Sequence, residues 1–109
     1  MVVNVCPAAA TSAPPERVWP LLATPERFGE WVDAKFVAAN PPGPAKPGQV
    51  IQMSAPSLGR RWPVTIEVVG VDPESRWIDF IARMPFGVEN HERVTLTDTP
   101  GGGTLVRFN

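Results

Sequence analysis

The sequence has few of the residues that build covalent or metal-bound sites. Its 109 residues include one cysteine, Cys6, and one histidine, His91. A single cysteine excludes an internal disulfide and is typical of a reducing compartment. Cys6 also lacks a basic neighbour that would activate its thiol. One cysteine and one histidine far apart do not form a zinc pattern, so we expect no metal and no cofactor.

Long runs of charged or apolar residues are absent as well. Ten basic and eleven acidic residues give a net charge of −1, which offers no electrostatic reason to expect a nucleic acid or an anionic membrane as partner. No segment approaches the roughly 20 apolar residues of a membrane helix. The N-terminal stretch lacks the basic and apolar parts of a secretory signal. We therefore expect a cytoplasmic domain spanning residues 1–109, without stable membrane insertion.

A helical segment between Ser12 and Val32 is the first clear feature that the sequence does contain. Two helix starts lie in it, at Pro15 and at Pro25, each with a proline followed by a glutamate in the first turn. Pro20 removes one intrahelical hydrogen bond, so the first helix should be short or kinked. Both pieces carry apolar residues at helical spacing: Val18, Leu21 and Leu22 in the first, and Phe28, Trp31 and Val32 in the second.

The remainder of the chain alternates like β-strands. We predict seven strands, with Pro7 making the first an edge strand or a bulged one. Short turns between most of them favour an antiparallel meander with one apolar face. The predicted strands cover residues 2–11, 34–39, 50–55, 60–71, 76–84, 88–97 and 104–108.

The helical segment also carries a family resemblance. The run Ala13-Pro14-Pro15-Glu16-Arg17-Val18-Trp19, followed by Leu22, Pro25-Glu26 and Trp31, resembles the opening signature of the START/Bet v 1-like (SRPBCC) superfamily. The polyketide cyclase/dehydrase branch is the nearest match, and Gly48 and Gly103-Thr104 extend the similarity over nearly the whole chain. The resemblance implies an α+β helix-grip fold, in which a curved seven-stranded antiparallel sheet carries two short helices between strands 1 and 2.

That family pattern includes a long C-terminal helix that closes a cavity over the sheet. This chain ends at Asn109, where that helix should begin. An apolar concave face without cover is unfavourable in water. We expect that a longer chain or a second copy in a homo-oligomer covers it, or that the sheet collapses onto the helices. The residues predicted to line this face and bind a ligand are Met53, Trp62, Val64, Ile66, Ile78, Phe80, Met84, Val94 and Phe108.

Two polar residues share the apolar phase of the sixth predicted strand. Asn90 and Glu92 alternate with its apolar residues, and an inward amide and carboxylate would orient a polar group on a hydrophobic ligand. A carboxyl that is held out of water can also serve as a general acid or base. Alternatively, the strand end flares into solvent, or a bulge near Gly87 reverses the phase. His91 lies on the opposite phase and is predicted to be solvated.

Three functions remain open at this point. The first, which rests on the resemblance, is the binding of a small hydrophobic molecule such as a lipid, an isoprenoid or a polyketide. The second is a cofactor-independent cyclase or dehydratase, with Glu92 as the acid or base and Asn90 as a hydrogen-bonding group. The third is an interaction module whose apolar groove takes a partner's helix. Trp77, predicted on the convex face, is a candidate for a contact between copies.

Overall fold

The computed structural model describes residues 8–108. These residues form one antiparallel sheet with the strand order β1-β7-β6-β5-β4-β3-β2, which confirms the predicted α+β helix-grip fold. Cys6, Pro7 and the first part of the predicted first strand lie outside the described residues. The strands are β1 (Ala8–Thr11), β2 (Lys35–Asn40), β3 (Val50–Ser57), β4 (Arg60–Asp72), β5 (Trp77–Arg83), β6 (Glu89–Asp98) and β7 (Thr104–Phe108).

The predicted helical segment consists of an α-helix and a 3-10 helix between β1 and β2. Helix α1 spans Pro15–Ala23, and the 3-10 helix spans Pro25–Glu30. The carbonyl of Leu21 would normally accept a hydrogen bond from the residue four positions later, but that residue is Pro25 and has no N–H. The indole Nε1 of Trp31 donates to this carbonyl instead, at 2.8 Å. The two helices are thereby tied together at the point where α1 ends.

The turn between β3 and β4 is tighter than the sequence predicts. β3 continues through Pro56 to Ser57, and only Leu58 and Gly59 form the turn, with φ angles of 52° and 75°. Two successive positive φ angles are what a two-residue type I′ hairpin requires. A second turn, Pro85–Gly87, joins β5 to β6 at the same end of the sheet, because the four strands form a meander.

The core lies between the concave face of the sheet and the two helices. Helix α1 contributes Val18 and Leu22, and the 3-10 helix contributes Phe28, which is fully buried. The helices therefore cover part of the concave face. The sheet side of the core is formed by Ile51, Met53, Ile66, Val68, Ile78, Phe80, Val94 and Leu96.

One polar side chain in the core was not foreseen from the sequence. Gln49 is 0% exposed, and its Nε2 donates to the carbonyls of Pro41 at 2.8 Å and Gly43 at 3.1 Å. The same loop is held to the end of α1 by a backbone hydrogen bond from Ala45 to Ala23. Gln49 thus supplies donors that the proline-rich loop cannot supply from its own backbone.

The last strand lies between the first strand and the sixth. β7 pairs with β6 on one side and with β1 on the other, and the buried Thr104 hydroxyl donates to the carbonyl of Ala13 at 2.7 Å. β7 ends at Phe108, the last residue that the structure describes. None of the helices in this described part of the chain is long and apolar enough to cross a membrane.

Candidate functional site

Three hollows formed by residues 8–108 lie on the part of the concave face that the helices leave uncovered. The central hollow, of about 110 Å³, lies between Trp31 and the middle of β4, β5 and β6. The outer hollow, of about 250 Å³, lies at the end of the sheet that carries the Leu58 and Phe86 turns. The helix-side hollow, of about 390 Å³, lies between α1 and strands β1 and β7. Apolar side chains predominate in the walls of the outer and helix-side hollows.

The indole of Trp31 is a common wall of two hollows. It lines both the central and the helix-side hollow. Its centroid lies 4.9 Å from the ring of Phe28 and 6.1 Å from those of both Phe80 and Phe108. The hydrogen bond to the Leu21 carbonyl sets the orientation of the indole. The sequence identifies Trp31 only as an apolar residue at helical spacing, and its position between two hollows depends on tertiary packing.

Asn90 and Glu92 supply the polar part of the central hollow. The register pairs Asn90 with Ala82 and Glu92 with Phe80, so both side chains lie on the concave face. A reversed alternation would have placed them on the convex face. The Oδ1 atom of Asn90 is buried and has no hydrogen-bond partner among residues 8–108. A buried acceptor without a partner carries a cost of about 1–3 kcal/mol. This oxygen is therefore a ready acceptor for a donor that enters the hollow.

The carboxylate of Glu92 is half-buried at the same hollow. Other acidic residues of the central strands are engaged: Glu67 pairs with Arg83 and Asp79 pairs with Arg93. Among the ion pairs formed by residues 8–108, none includes Glu92. The hollow therefore combines an amide and an uncompensated carboxylate with an otherwise apolar wall.

Six of the nine predicted ligand-binding residues line the hollows. Ile66 and Phe80 line the central hollow, Trp62, Val64 and Met84 line the outer hollow, and Phe108 lines the helix-side hollow.

Three further residues from the predicted set take no part in these walls. Met53, Ile78 and Val94 are at most 2% exposed and belong to the closed core. Their assignment to a cavity wall needs correction, because the helices pack directly on this part of the sheet. Strand alternation identifies the face of a side chain but not which part of that face is already covered.

Two tryptophan rings each contact an arginine, one at the end of the sheet and one on its convex face. Trp62 donates from Nε1 to the carbonyl of Ser57 at 3.0 Å, and the guanidinium of Arg60 lies 4.2 Å from its ring centroid. On the convex face, Arg93 lies 4.1 Å over the ring of Trp77. Trp77 is half-buried there against Gly70, where an added Cβ would lie 3.1 Å from the ring. Its suggested role in a contact between copies stays a prediction.

The convex face also carries the one histidine in an exposed ion-pair cluster. His91 is exposed, as predicted, and its Nε2 lies 2.7 Å from Oε1 of Glu89. The hydrogen bond from His91 lowers the pKa of Glu89, and the charge of Arg83 acts in the same direction. The hydrogen bond to Asp79 raises the pKa of Arg93. Across residues 8–108, no cluster of three or more histidine, cysteine or acidic side chains could hold a metal ion.

Comparison with known sequences identifies one family. The family described as polyketide cyclase/dehydrase and lipid transport matches residues 8–109, which is nearly the whole chain. A search of curated proteins found no matching sequence.

Solved structures with the same Bet v 1-like fold are numerous. Protein Ms6760 from Mycobacterium smegmatis is 20% identical with a TM-score of 0.76, and the match covers 94% of this chain and 68% of that one. Protein CV1439 from Chromobacterium violaceum is 19% identical with a TM-score of 0.74, and the match covers 95% of this chain and 76% of that one. Ara h 8.0201 is 15% identical with a TM-score of 0.72, and the match covers 95% of this chain and 72% of that one. At these identities the likeness establishes the fold alone.

Proposed function

Because the chain belongs to the polyketide cyclase/dehydrase and lipid transport family, we propose that it binds a small hydrophobic molecule, such as a lipid, an isoprenoid or a polyketide, in the hollows of its concave face. Membership in the family implies the binding of hydrophobic ligands in general. The single cysteine supports a reducing, cytoplasmic setting for this activity.

The central hollow supports the proposal most directly. Its wall is formed largely by Trp31, Ile66 and Phe80, and within the described part of the chain the buried Oδ1 atom of Asn90 has no hydrogen-bond partner. Pockets for small molecules combine apolar walls with a few polar groups that set the orientation of the ligand. An unpartnered amide oxygen accepts a hydrogen bond, so the preferred ligand carries a hydroxyl group on an apolar, flat or branched body.

A pair of aromatic probes that differ in one hydroxyl group tests this preference. We expect 1-naphthol to bind about fivefold more tightly than 1-methylnaphthalene, since one hydrogen bond is worth about 1 kcal/mol and tenfold corresponds to about 1.4 kcal/mol. The Asn90→Leu variant should bind both probes alike. Calorimetric titration or the quenching of tryptophan fluorescence measures the affinities.

A matched variant on the other face of the same strand provides the control. Thr97 is exposed on the convex face, and Thr97→Val also removes one polar group. This variant should keep the preference for 1-naphthol. An equal preference in wild type and Asn90→Leu would exclude Asn90 as the orienting group. Failure of both probes to saturate would count against the proposed binding function.

A second candidate function is favoured by the position of Glu92. A carboxylate that forms no ion pair within residues 8–108, beside the Asn90 amide at an apolar hollow, is suited to a cyclase or dehydratase of polyketide-like substrates. Glu92 would accept a proton from the carbon next to a carbonyl group, while the Asn90 amide would donate a hydrogen bond to the carbonyl oxygen.

For this second candidate, we expect Glu92→Gln to reduce turnover by about 10²–10⁴-fold, the usual contribution of a positioned acid or base. The affinity for the substrate should change little, because glutamine has nearly the same shape. Single-turnover assays with aromatic polyketide precursors, together with binding titrations, separate the two quantities. Unchanged turnover in Glu92→Gln would exclude the enzymatic role while leaving the binding function intact.

The third function considered above is a groove for a partner's helix, and a second copy of the chain would cover the hollows in a similar way. Either occupant would compete with a small ligand for the same apolar walls. Light scattering with and without 1-naphthol tests whether a second copy covers the hollows. A ligand-binding monomer keeps its mass in both conditions, whereas a chain whose hollows are covered by a copy dissociates as the ligand enters.

A further inference from the structure

Two turns at one end of the sheet expose large apolar side chains next to each other. Leu58 in the β3–β4 turn is 90% exposed, and Phe86 in the Pro85–Gly87 turn is 87% exposed. Both side chains line the mouth of the outer hollow, and the ring of Trp62 lies 5.3 Å from that of Phe86. We refer to Leu58, Arg60, Arg61, Trp62 and Phe86 as the tip. The tip concentrates apolar surface at one end of the molecule.

The backbone at the tip does not favour these side chains. Leu58 has a φ of 52° and Phe86 a φ of 65°, in the left-handed region. Glycine and asparagine adopt this region most readily, whereas for a bulky residue it is an outlier. Folding alone would be served better by asparagine at both positions. Apolar side chains that are held in a strained conformation and face water indicate a role outside folding.

The tip also carries positive charge that acidic neighbours do not neutralise. Arg60 stacks on Trp62, and Arg61 donates from Nε to the hydroxyl of Ser54 at 2.7 Å. In the part of the chain that the structure describes, no carboxylate pairs with either arginine. By contrast, Arg83 and Arg93 pair with acidic residues on the convex face. The net charge of −1 therefore conceals a cationic tip.

We propose that the tip docks on the surface of a bilayer that contains anionic lipid. Leu58 and Phe86 would enter the boundary between headgroups and acyl chains, where apolar side chains leave water. Trp62 would lie at the level of the headgroups, a position that suits an amphipathic ring. Arg60 and Arg61 would contact lipid phosphates, which the planar guanidinium recognises.

The shape and charge of the tip favour a bilayer over a protein partner. The apolar groups project from two separate turns instead of forming a groove that a partner's helix could fill, and the cations flank them. Docking would also direct the mouth of the outer hollow towards the lipid, from which an apolar molecule could enter without crossing water. The docking itself stands on the tip alone and does not depend on the proposed ligand.

Flotation with lipid vesicles tests the proposal. The wild-type protein is expected to float with phosphatidylcholine vesicles that contain phosphatidylglycerol, about tenfold more than with phosphatidylcholine alone, and less at high salt. The double variant Leu58→Asn/Phe86→Asn should lose at least about tenfold of this binding. Because asparagine accepts a positive φ, the double variant should melt no lower than wild type, which separates loss of docking from loss of folding.

Two further variants make the test specific. Arg60→Gln should weaken binding to the anionic vesicles only and reduce the dependence on salt. Val69→Thr removes a half-exposed apolar group from the other end of β4 and should bind as wild type does.

Three results would overturn docking at the tip. They are no flotation of wild type with anionic vesicles at low salt, undiminished binding by the double variant, and equally strong binding to soluble polyglutamate. The last of these would assign the tip to an acidic protein partner. The vesicles contain no 1-naphthol, so failure here leaves ligand binding untouched, and failure of the naphthol titration leaves docking untouched.

Discussion

Phe28→Ala is expected to lower the free energy of unfolding by about 3–5 kcal/mol, the usual cost of removing a buried phenylalanine ring. Phe28 is 0% exposed, and its ring packs edge-on against Trp31 and against Phe80 at a centroid distance of 5.8 Å. Its loss would leave a cavity where the 3-10 helix meets the sheet. Since small domains are stable by about 5–15 kcal/mol, much of the total stability would disappear.

Phe86→Ala is the matched control, since it makes the same chemical change at a ring that is 87% exposed. We expect it to alter the free energy of unfolding by no more than about 0.5 kcal/mol. Urea denaturation of both variants, followed by circular dichroism, measures the difference. Similar losses in the two variants would show that the 3-10 helix does not pack on the sheet as described.

Gly103→Ala is expected to destabilise the fold by about 3 kcal/mol and to loosen the first strand. A Cβ at this position would overlap the backbone carbonyl of Thr11 and lie 2.9 Å from Oγ1 of Thr99. Backbone cannot yield as a flexible side chain does, so β1 must move away, at a cost of about 1–3 kcal/mol. The displacement also weakens the buried hydrogen bond from Thr104 to Ala13, which adds about 1–3 kcal/mol.

Gly102→Ala distinguishes steric overlap from backbone strain. Gly102 has a φ of +87° and no atom within 4 Å of an added Cβ, so alanine there costs only the left-handed conformation, about 1–2 kcal/mol. Hydrogen exchange should be faster at the β1 amides in Gly103→Ala and unchanged there in Gly102→Ala. Unchanged exchange in Gly103→Ala would contradict the close approach of Gly103 to β1.

Much of the architecture could be predicted because it depends on local rules. Period-two alternation in β4 identifies a long strand, and prolines at Pro15 and Pro25 mark where helices begin. Short turns then leave an antiparallel meander as the simplest topology. The resemblance added the helix-grip arrangement, which the sheet order confirms.

The walls of the hollows could be predicted only in part, because they depend on tertiary packing. Strand alternation placed Met53, Ile78 and Val94 on the concave face, but only the position of the helices shows that they are already covered. Gln49 is similar: nothing in its neighbourhood in the sequence indicates that a glutamine would be buried to hold a proline-rich loop. Both outcomes follow from contacts between residues that are distant in the chain.

The positive charge of the tip could not be predicted from the composition, for a related reason. Net charge adds all residues, whereas a surface is shaped by which charges are paired. Arg83 and Arg93 are neutralised by neighbours across the strands. Arg60 and Arg61, which pair with no carboxylate of residues 8–108, therefore have more influence than the net charge suggests. The pairing is visible only once the register of the sheet is known.

The bond between the Trp31 indole and the Leu21 carbonyl has a consequence for the length of an acceptable guest. A molecule that extends from the central into the helix-side hollow must swing the indole aside, which strips that carbonyl of its donor, and Pro25 has no hydrogen to offer in its place. The penalty is about 1–3 kcal/mol, roughly a 5- to 150-fold loss of affinity. Short guests confined to one hollow avoid this penalty, so for the proposed ligand binding we expect affinity to fall as the guest becomes longer.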